Sequence, residues 1–86
     1  MNSIHNIANH NGKDMIHTKL VEEVNELVEA IKEGNQEHII EEMADVFIMI
    51  NQYTYIHNQD KQFFKQVNNK LKRTIKRLNI KEENNE

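Results

Sequence analysis

The sequence contains no cysteine and no proline, and it has only two glycines among its 86 residues. Without cysteine, neither a disulfide nor a thiolate metal site can form. Without proline, and with so little glycine, few positions interrupt a helix, so we expect long helices. Long apolar runs are also missing, because the longest, at 46–50, is far too short to cross a bilayer. We therefore expect no association with a membrane.

The N-terminal stretch MNSIHNIANHNGK also lacks a basic segment followed by an apolar one, which is the pattern of a secretory signal. We expect a cytoplasmic protein. The length allows one small domain, whose limited core favours oligomerisation. The net charge of −3 is unevenly distributed. Acids are concentrated at 22–45, whereas eight of the eleven Lys and Arg residues lie from Lys61 onward, and this asymmetry is more informative than the net value.

Hydrophobic periodicity predicts an all-α fold with three main helices. The first begins with Asp14 as its N-cap and ends near Glu33, where Gly34 stops it. The second extends from about position 35 to about position 57. The third extends from about Lys61 to Leu78, with Asp60 as a candidate cap. The predicted apolar stripes are Leu20, Val24, Leu27, Val28 and Ile31, then Ile39, Met43, Val46, Phe47 and Ile50, then Phe64, Val67, Leu71, Ile75 and Leu78.

The ends of the chain have weaker patterns than its middle. Residues 1–13 are polar, and there we expect only one short turn, formed by Ile4 and Ile7. Residues 14–79 form the predicted helical domain. Residues 80–86 have little apolar content and are expected to be a flexible tail.

A pattern of paired carboxylates occurs twice beside the predicted stripes. Glu23 and Glu26 are three residues apart, as are Glu42 and Asp45, and a shift of nineteen residues superposes both pairs and both stripes. A short turn at Gly34 makes the two helices antiparallel neighbours. Four carboxylates in one cleft repel each other, and a divalent cation relieves this repulsion. Oxygen ligands favour Mg²⁺ or Mn²⁺.

Other interpretations of these acids are weaker. A single acidic pair is more typical of a solvated helix face, but two pairs at matching phase favour a metal site. A di-iron four-helix bundle needs Glu-x-x-His on two helices, and no Glu in this chain has a His three residues later. The five His are dispersed. Only His17, one turn before the acidic cluster, is a candidate to approach a ligand.

The residues around these pairs resemble the MazG-like superfamily of all-α nucleotide pyrophosphohydrolases. The family pattern is Glu-x-x-Glu, an intervening stretch and Glu-x-x-Asp, which reads here as EVNE, fifteen residues and EMAD. The flanking segments KLVEEVNELVEAI and EEMADVFIMI match as well. Downstream, VNNKLKRTIKRL resembles a segment that supplies phosphate-contacting Lys and Arg. The similarity covers roughly residues 16–78.

The resemblance implies hydrolysis of a nucleoside triphosphate between its α- and β-phosphates, with Mg²⁺ or alternatively Mn²⁺ as cofactor. It also implies a homodimer or homotetramer that builds four-helix bundles, and no specific nucleic-acid partner. The implied roles are metal binding for Glu23, Glu26, Glu42 and Asp45, water activation for Glu22 or Glu23, and phosphate binding for Lys70, Arg73 and Arg77.

Two alternatives and one departure accompany the resemblance. A phosphoribosyl-ATP pyrophosphohydrolase has the same acidic pattern, and in a non-catalytic helical interaction module the acids would only be solvated. Many relatives have a longer N-terminal helix that helps to enclose the base, whereas the chain before the first motif helix is short and polar here. Substrate selectivity therefore does not transfer, and a base-stacking role for Tyr53 stays open.

Overall fold

The computed structural model describes residues 2–81 and consists of three helices. They are α1 at Asn2–Glu33, α2 at Gln36–Ile56 and α3 at Asp60–Leu78. The predicted all-α class and the three main helices are confirmed. Of the predicted tail, residues 82–86 lie outside the described part of the chain. None of the helices described at 2–81 is long and apolar enough to cross a membrane.

The turn between α1 and α2 follows the local sequence closely. Gly34 ends α1 as predicted, with a φ of 79° that glycine adopts without steric cost. Asn35 caps α2, because its side-chain oxygen accepts a hydrogen bond of 3.2 Å from the backbone N–H of His38. Such a short connection makes α1 and α2 an antiparallel hairpin.

The start of α3 differs from the prediction by one residue. The N-cap is Gln59, which forms no side-chain capping bond, and Asp60 is already the first helical residue. The predicted cap role of Asp60 is therefore wrong. In the first turn its negative charge still interacts favourably with the positive end of the helix dipole.

The N-terminal segment is helical over most of its length and not only over one turn. Helix α1 begins at Asn2, and its backbone departs from helical geometry at Gly12, with φ 80° and ψ 168°. The break therefore lies at Gly12 and not at an N-cap on Asp14. Ile4 and Ala8, one turn apart, are both buried, which explains why this segment stays helical against its neighbour.

Polar contacts from the same segment reach the end of α2. Asn9 Nδ2 donates to Tyr55 Oη at 3.1 Å, and Asn11 Nδ2 donates to Gln52 Oε1 at 3.2 Å. The His5 ring stacks on Tyr55 with a centroid distance of 3.9 Å. These contacts join residues more than forty positions apart in the sequence, so no local sequence pattern predicts them.

The hydrophobic core lies where the first half of α1 meets the second half of α2. Ala8, Ile16 and Met49 form its buried cluster. Four partly buried side chains pack against it: Leu20, Tyr53, Tyr55 and Ile56.

Helix α3 contributes little to this core. None of its residues is buried, and among the described residues no Cα atom of α3 lies within 8 Å of one in α1. The radius of gyration is 15.8 Å, compared with about 12 Å for a compact domain of this length. Much of the predicted apolar surface is consequently open, with exposed fractions of 38–61 % at Val24, Val28, Ile31, Met43, Phe47, Phe64, Val67, Leu71 and Leu78.

Candidate metal centre

The α1–α2 hairpin brings three of the four predicted metal ligands together. Glu23 and Glu26 lie one turn apart on α1, and Glu42 lies opposite them on α2. Each offers one carboxylate oxygen, and these oxygens all lie within 4.8 Å of one another. Residues three apart share a helix face, so one hairpin is sufficient to gather the three acids.

Two oxygens of this cluster are buried without a hydrogen-bond donor. They are Glu23 Oε2 and Glu42 Oε2. The Glu42 residue is only 8 % exposed, whereas Glu23 is half-buried and Glu26 is exposed. A buried carboxylate oxygen without a partner is costly. A cation or a hydrogen-bond donor at this place would remove the cost at both oxygens.

The pKa of Glu23 also indicates that the acidic cluster lacks positive charge. The pKa of Glu23 is raised to about 7, first because burial removes water from its carboxylate, then because Glu26, Asp45 and Glu42 repel its charge, and last because the protonated form can hydrogen-bond to Glu42. The group therefore carries a proton for much of the time near neutral pH in the absence of a cation.

This donor set fits a hard divalent cation. It consists of carboxylate groups from two helices. Two of their oxygens are buried and have no hydrogen-bond partner. Mg²⁺ and Mn²⁺ prefer oxygen ligands of this kind. Glu23, Glu26 and Glu42 would hold the ion. A bound cation would satisfy the two buried oxygens and remove the repulsion that raises the pKa of Glu23.

Asp45 is not part of the close group, although it belongs to the predicted four. Its side chain is exposed, and its charge contributes to the raised pKa of Glu23. It therefore lies near the cluster, at its solvent side, and the three Glu residues form the inner part.

Glu22, the predicted water-activating acid, lies on the exposed side of α1. Its Oε1 lies 3.7 Å from Nζ of Lys19 in the preceding turn. Exposed pairs of this kind add little stability, so Glu22 stays accessible beside Glu23. His17 is also exposed.

His38 is a part of the site that the sequence analysis missed. Its Nε2 lies 3.3 Å from Glu42 Oε1, and its Nδ1 lies 3.2 Å from Glu33 Oε1. The hydrogen bond with Glu33, together with the charges of Glu33 and Glu42, raises the pKa of His38. A signal was present, because His38 precedes Glu42 by four residues and such pairs meet on one helix face.

An open cavity of about 510 Å³ adjoins the cluster. This volume is within the usual range for small-ligand sites, and the lining residues are polar or ionisable, although they expose mainly their aliphatic carbons to the cavity. The lining residues are Asn25, Glu26, Glu29, His38 and Glu42.

The predicted phosphate-binding residues occupy a separate surface. Lys70, Arg73 and Arg77 line a shallow depression of α3 together with Thr74. At about 100° per residue, Arg73 lies roughly opposite Phe64 on this helix, so the basic row and the apolar stripe use different faces. Within residues 2–81, no Lys or Arg of α3 takes part in an ion pair. In the described part of the chain the basic row therefore forms no ion pair with the acids, although α3 lies beside α2, which carries Glu42 and Asp45.

Comparison with known proteins identifies a family for this chain. The sequence model of the MazG nucleotide pyrophosphohydrolase domain matches residues 11–79. No curated protein and no solved structure matches the chain. The matched range contains all of the acidic cluster, His38 and the basic row of α3.

Proposed function

The chain belongs to the MazG nucleotide pyrophosphohydrolase domain family, and on this basis we propose that it hydrolyses nucleoside or deoxynucleoside triphosphates with Mg²⁺. The reaction adds water across the bond between the α- and β-phosphates. The products are a nucleoside monophosphate and pyrophosphate. Mn²⁺ is the alternative cofactor, since it accepts the same oxygen ligands.

One observation carries this proposal. Glu23 and Glu42, on different helices, each hold a buried carboxylate oxygen without a partner, and both belong to the three-carboxylate group. A solvated acidic face does not need buried oxygens. A triphosphate arrives with bound Mg²⁺ and many anionic oxygens, so an acidic cradle recognises it only through the metal.

The residues have distinct roles in the proposed reaction. Glu23, Glu26 and Glu42 hold the metal, and Asp45 completes the set from the solvent side. Bound Mg²⁺ supplies positive charge for the phosphate oxygens and makes water a stronger nucleophile. The proton of the attacking water passes to a carboxylate, for which the accessible Glu22 and the adjacent Glu23 are the two candidates.

Lys70, Arg73 and Arg77 neutralise the phosphates in this proposal. Because these side chains form no ion pair with the acids within the described residues of one chain, we propose that a second copy of the chain supplies them. The exposed apolar stripes on both the hairpin and α3 support such an assembly. We propose a homodimer or homotetramer in which helices of different copies complete four-helix bundles.

The test is a pyrophosphate-release assay with Mg²⁺ over all common ribo- and deoxyribonucleoside triphosphates. Glu42→Gln and Asp45→Asn should lower the rate at least about 100-fold, since each removes a charged ligand. Glu41→Gln is the matched control, because Glu41 is the exposed neighbour of Glu42 on the same helix, and it should retain the wild-type rate. Unchanged rates in the first two variants would contradict the metal-site assignment.

The same assay separates the alternatives. Phosphoribosyl-ATP is included as a substrate, and preferential cleavage of it would assign the chain to that reaction class. A folded wild-type protein that releases no pyrophosphate from any substrate would instead support a non-catalytic helical module.

A further inference from the structure

His38 connects the two helices of the hairpin through both of its ring nitrogens. Nδ1 lies 3.2 Å from Oε1 of Glu33, the last residue of α1, and Nε2 lies 3.3 Å from Oε1 of Glu42 on α2. The backbone of His38 is fixed as well, because its N–H donates to the Asn35 cap. The imidazole thus has a carboxylate oxygen beside each ring nitrogen, and its backbone is anchored in the first turn of α2.

Because of this contact, the two oxygens of the Glu42 carboxylate have different environments. Oε1 is engaged by His38, while Oε2 is buried and has no partner. An unrestrained carboxylate can rotate and exchange its two oxygens. With Oε1 beside His38, Oε2 is the Glu42 oxygen that is buried without a partner and is available to a cation in the cluster with Glu23 and Glu26.

We propose that His38 is a positioning residue that presents Oε2 of Glu42 to the divalent cation, with Glu33 fixing the imidazole from the other side. This inference rests on the proposed function, because it assigns a purpose to one ligand of the same site. Groups that hydrogen-bond to metal ligands orient those ligands, and their loss commonly weakens metal binding by about 10- to 100-fold.

The experiment measures Mn²⁺ binding to the full chain by calorimetry, without nucleotide, in four variants. Gln has an amide nitrogen at about the position of Nε2, whereas Asn has one at about the position of Nδ1. His38→Gln should therefore retain Mn²⁺ affinity within about threefold, while His38→Asn and His38→Ala lose about tenfold. His10→Ala is the control, since His10 is exposed on the N-terminal part of α1, and it should bind as the wild type does.

A second measurement tests whether His38 acts through Glu42. In the Glu42→Gln background, His38→Asn should cause no further loss of Mn²⁺ affinity, since the positioned carboxylate is already gone. A full tenfold loss in that background would overturn the proposal, as would wild-type affinity in His38→Asn. The rate of pyrophosphate release at saturating Mn²⁺ should change less than the affinity.

Failure of the inference is distinguishable from failure of the proposed function. If wild-type protein binds Mn²⁺ and releases pyrophosphate but all His38 variants behave alike, only the positioning role is wrong. If wild-type protein neither binds Mn²⁺ nor cleaves any triphosphate, the proposed function is wrong and the positioning role falls with it.

Discussion

The carboxylates of Glu23 and Glu42 approach each other across the α1–α2 hairpin, and each keeps one buried oxygen without a hydrogen-bond donor. Folding therefore brings two acidic groups together, and the His38 ring beside Glu42 Oε1 reaches neither of the two buried oxygens. Such an arrangement opposes stability unless a proton or a cation is present. The first two predictions follow from this relationship.

The metal-free protein should become less stable as the pH rises from about 4.5 to about 7. The pKa of Glu23 is about 7 in the folded chain and 4.5 as its ordinary value, so the folded state binds the proton more tightly within this range. The free energy of unfolding is then highest below pH 4.5, and it declines until the pH reaches about 7. Thermal unfolding in a chelator, followed from pH 4.5 to pH 8, checks this.

Glu23→Gln should flatten that decline, because the variant no longer binds or releases this proton. The matched control is Glu29→Gln, on the same helix, where the native carboxylate forms an exposed pair with Lys32 at 3.4 Å. A decline of equal size in the Glu23 variant would show that other groups cause the pH dependence.

Mg²⁺ or Mn²⁺ should raise the melting temperature, and the increase should be larger at pH 8 than at pH 5.5. At the lower pH the cation has to displace the proton of Glu23. A cation at 100 times its dissociation constant stabilises the folded state by about 2.7 kcal/mol. Differential scanning fluorimetry with matched ionic strength measures the effect. Glu42→Gln should reduce the increase, since one charged ligand of the cluster is lost, and an unaltered increase in that variant would place the cation elsewhere.

The protein should be a dimer or tetramer in solution, and a charge on the apolar stripe of α3 should dissociate it. Leu71 is 56 % exposed in the single chain, so Leu71→Glu would bury a charge only if a partner covers this face. Light scattering after size exclusion gives the mass. Asn69→Glu adds the same charge on a different side of α3 and should leave the mass unchanged. A monomeric wild-type protein would contradict this prediction.

Mixing two inactive variants should restore part of the activity. Glu42→Gln lacks an acid of the hairpin, and Arg73→Ala lacks a basic residue of α3. In a hetero-oligomer, some sites would combine the intact acids of the Arg73→Ala chain with the intact basic row of the Glu42→Gln chain. For randomly mixed dimers, about a quarter of the sites recover if the basic row comes from the partner chain. Pyrophosphate release after co-refolding of the two variants is the measurement. No recovery, with hetero-oligomers demonstrated, would place both sets in one chain.

The parts of the fold that the sequence predicted are those with local causes. Gly34 stops α1 because of its positive φ, and the spacing of apolar residues gave the later helices. The N-terminal helix was underestimated because its support is not local. Asn9 reaches Tyr55 and Asn11 reaches Gln52 across the hairpin, and such contacts leave no periodic pattern in a polar segment.

The sequence predicted that acids of α1 and α2 meet, but not how closely each of them approaches the others. The nineteen-residue correspondence places Glu23 and Glu42 at the same helical phase, and the hairpin does bring them together. Phase alone does not give the tilt and rotation of one helix against the other. This is why Asp45 could not be assigned to the edge of the cluster, and why the basic row could not be seen to lie away from it.

The position of the buried Ala8–Ile16–Met49 cluster affects which substitutions the fold can tolerate. Ile16 lies seven residues before Glu23 on α1, roughly 10 Å along the helix axis. The largest buried cluster therefore lies away from the turn of the hairpin, and the acidic cluster lies nearer to it. Substitutions of the acids remove no side chain from this buried cluster, so the acidic end can vary with little loss of core packing.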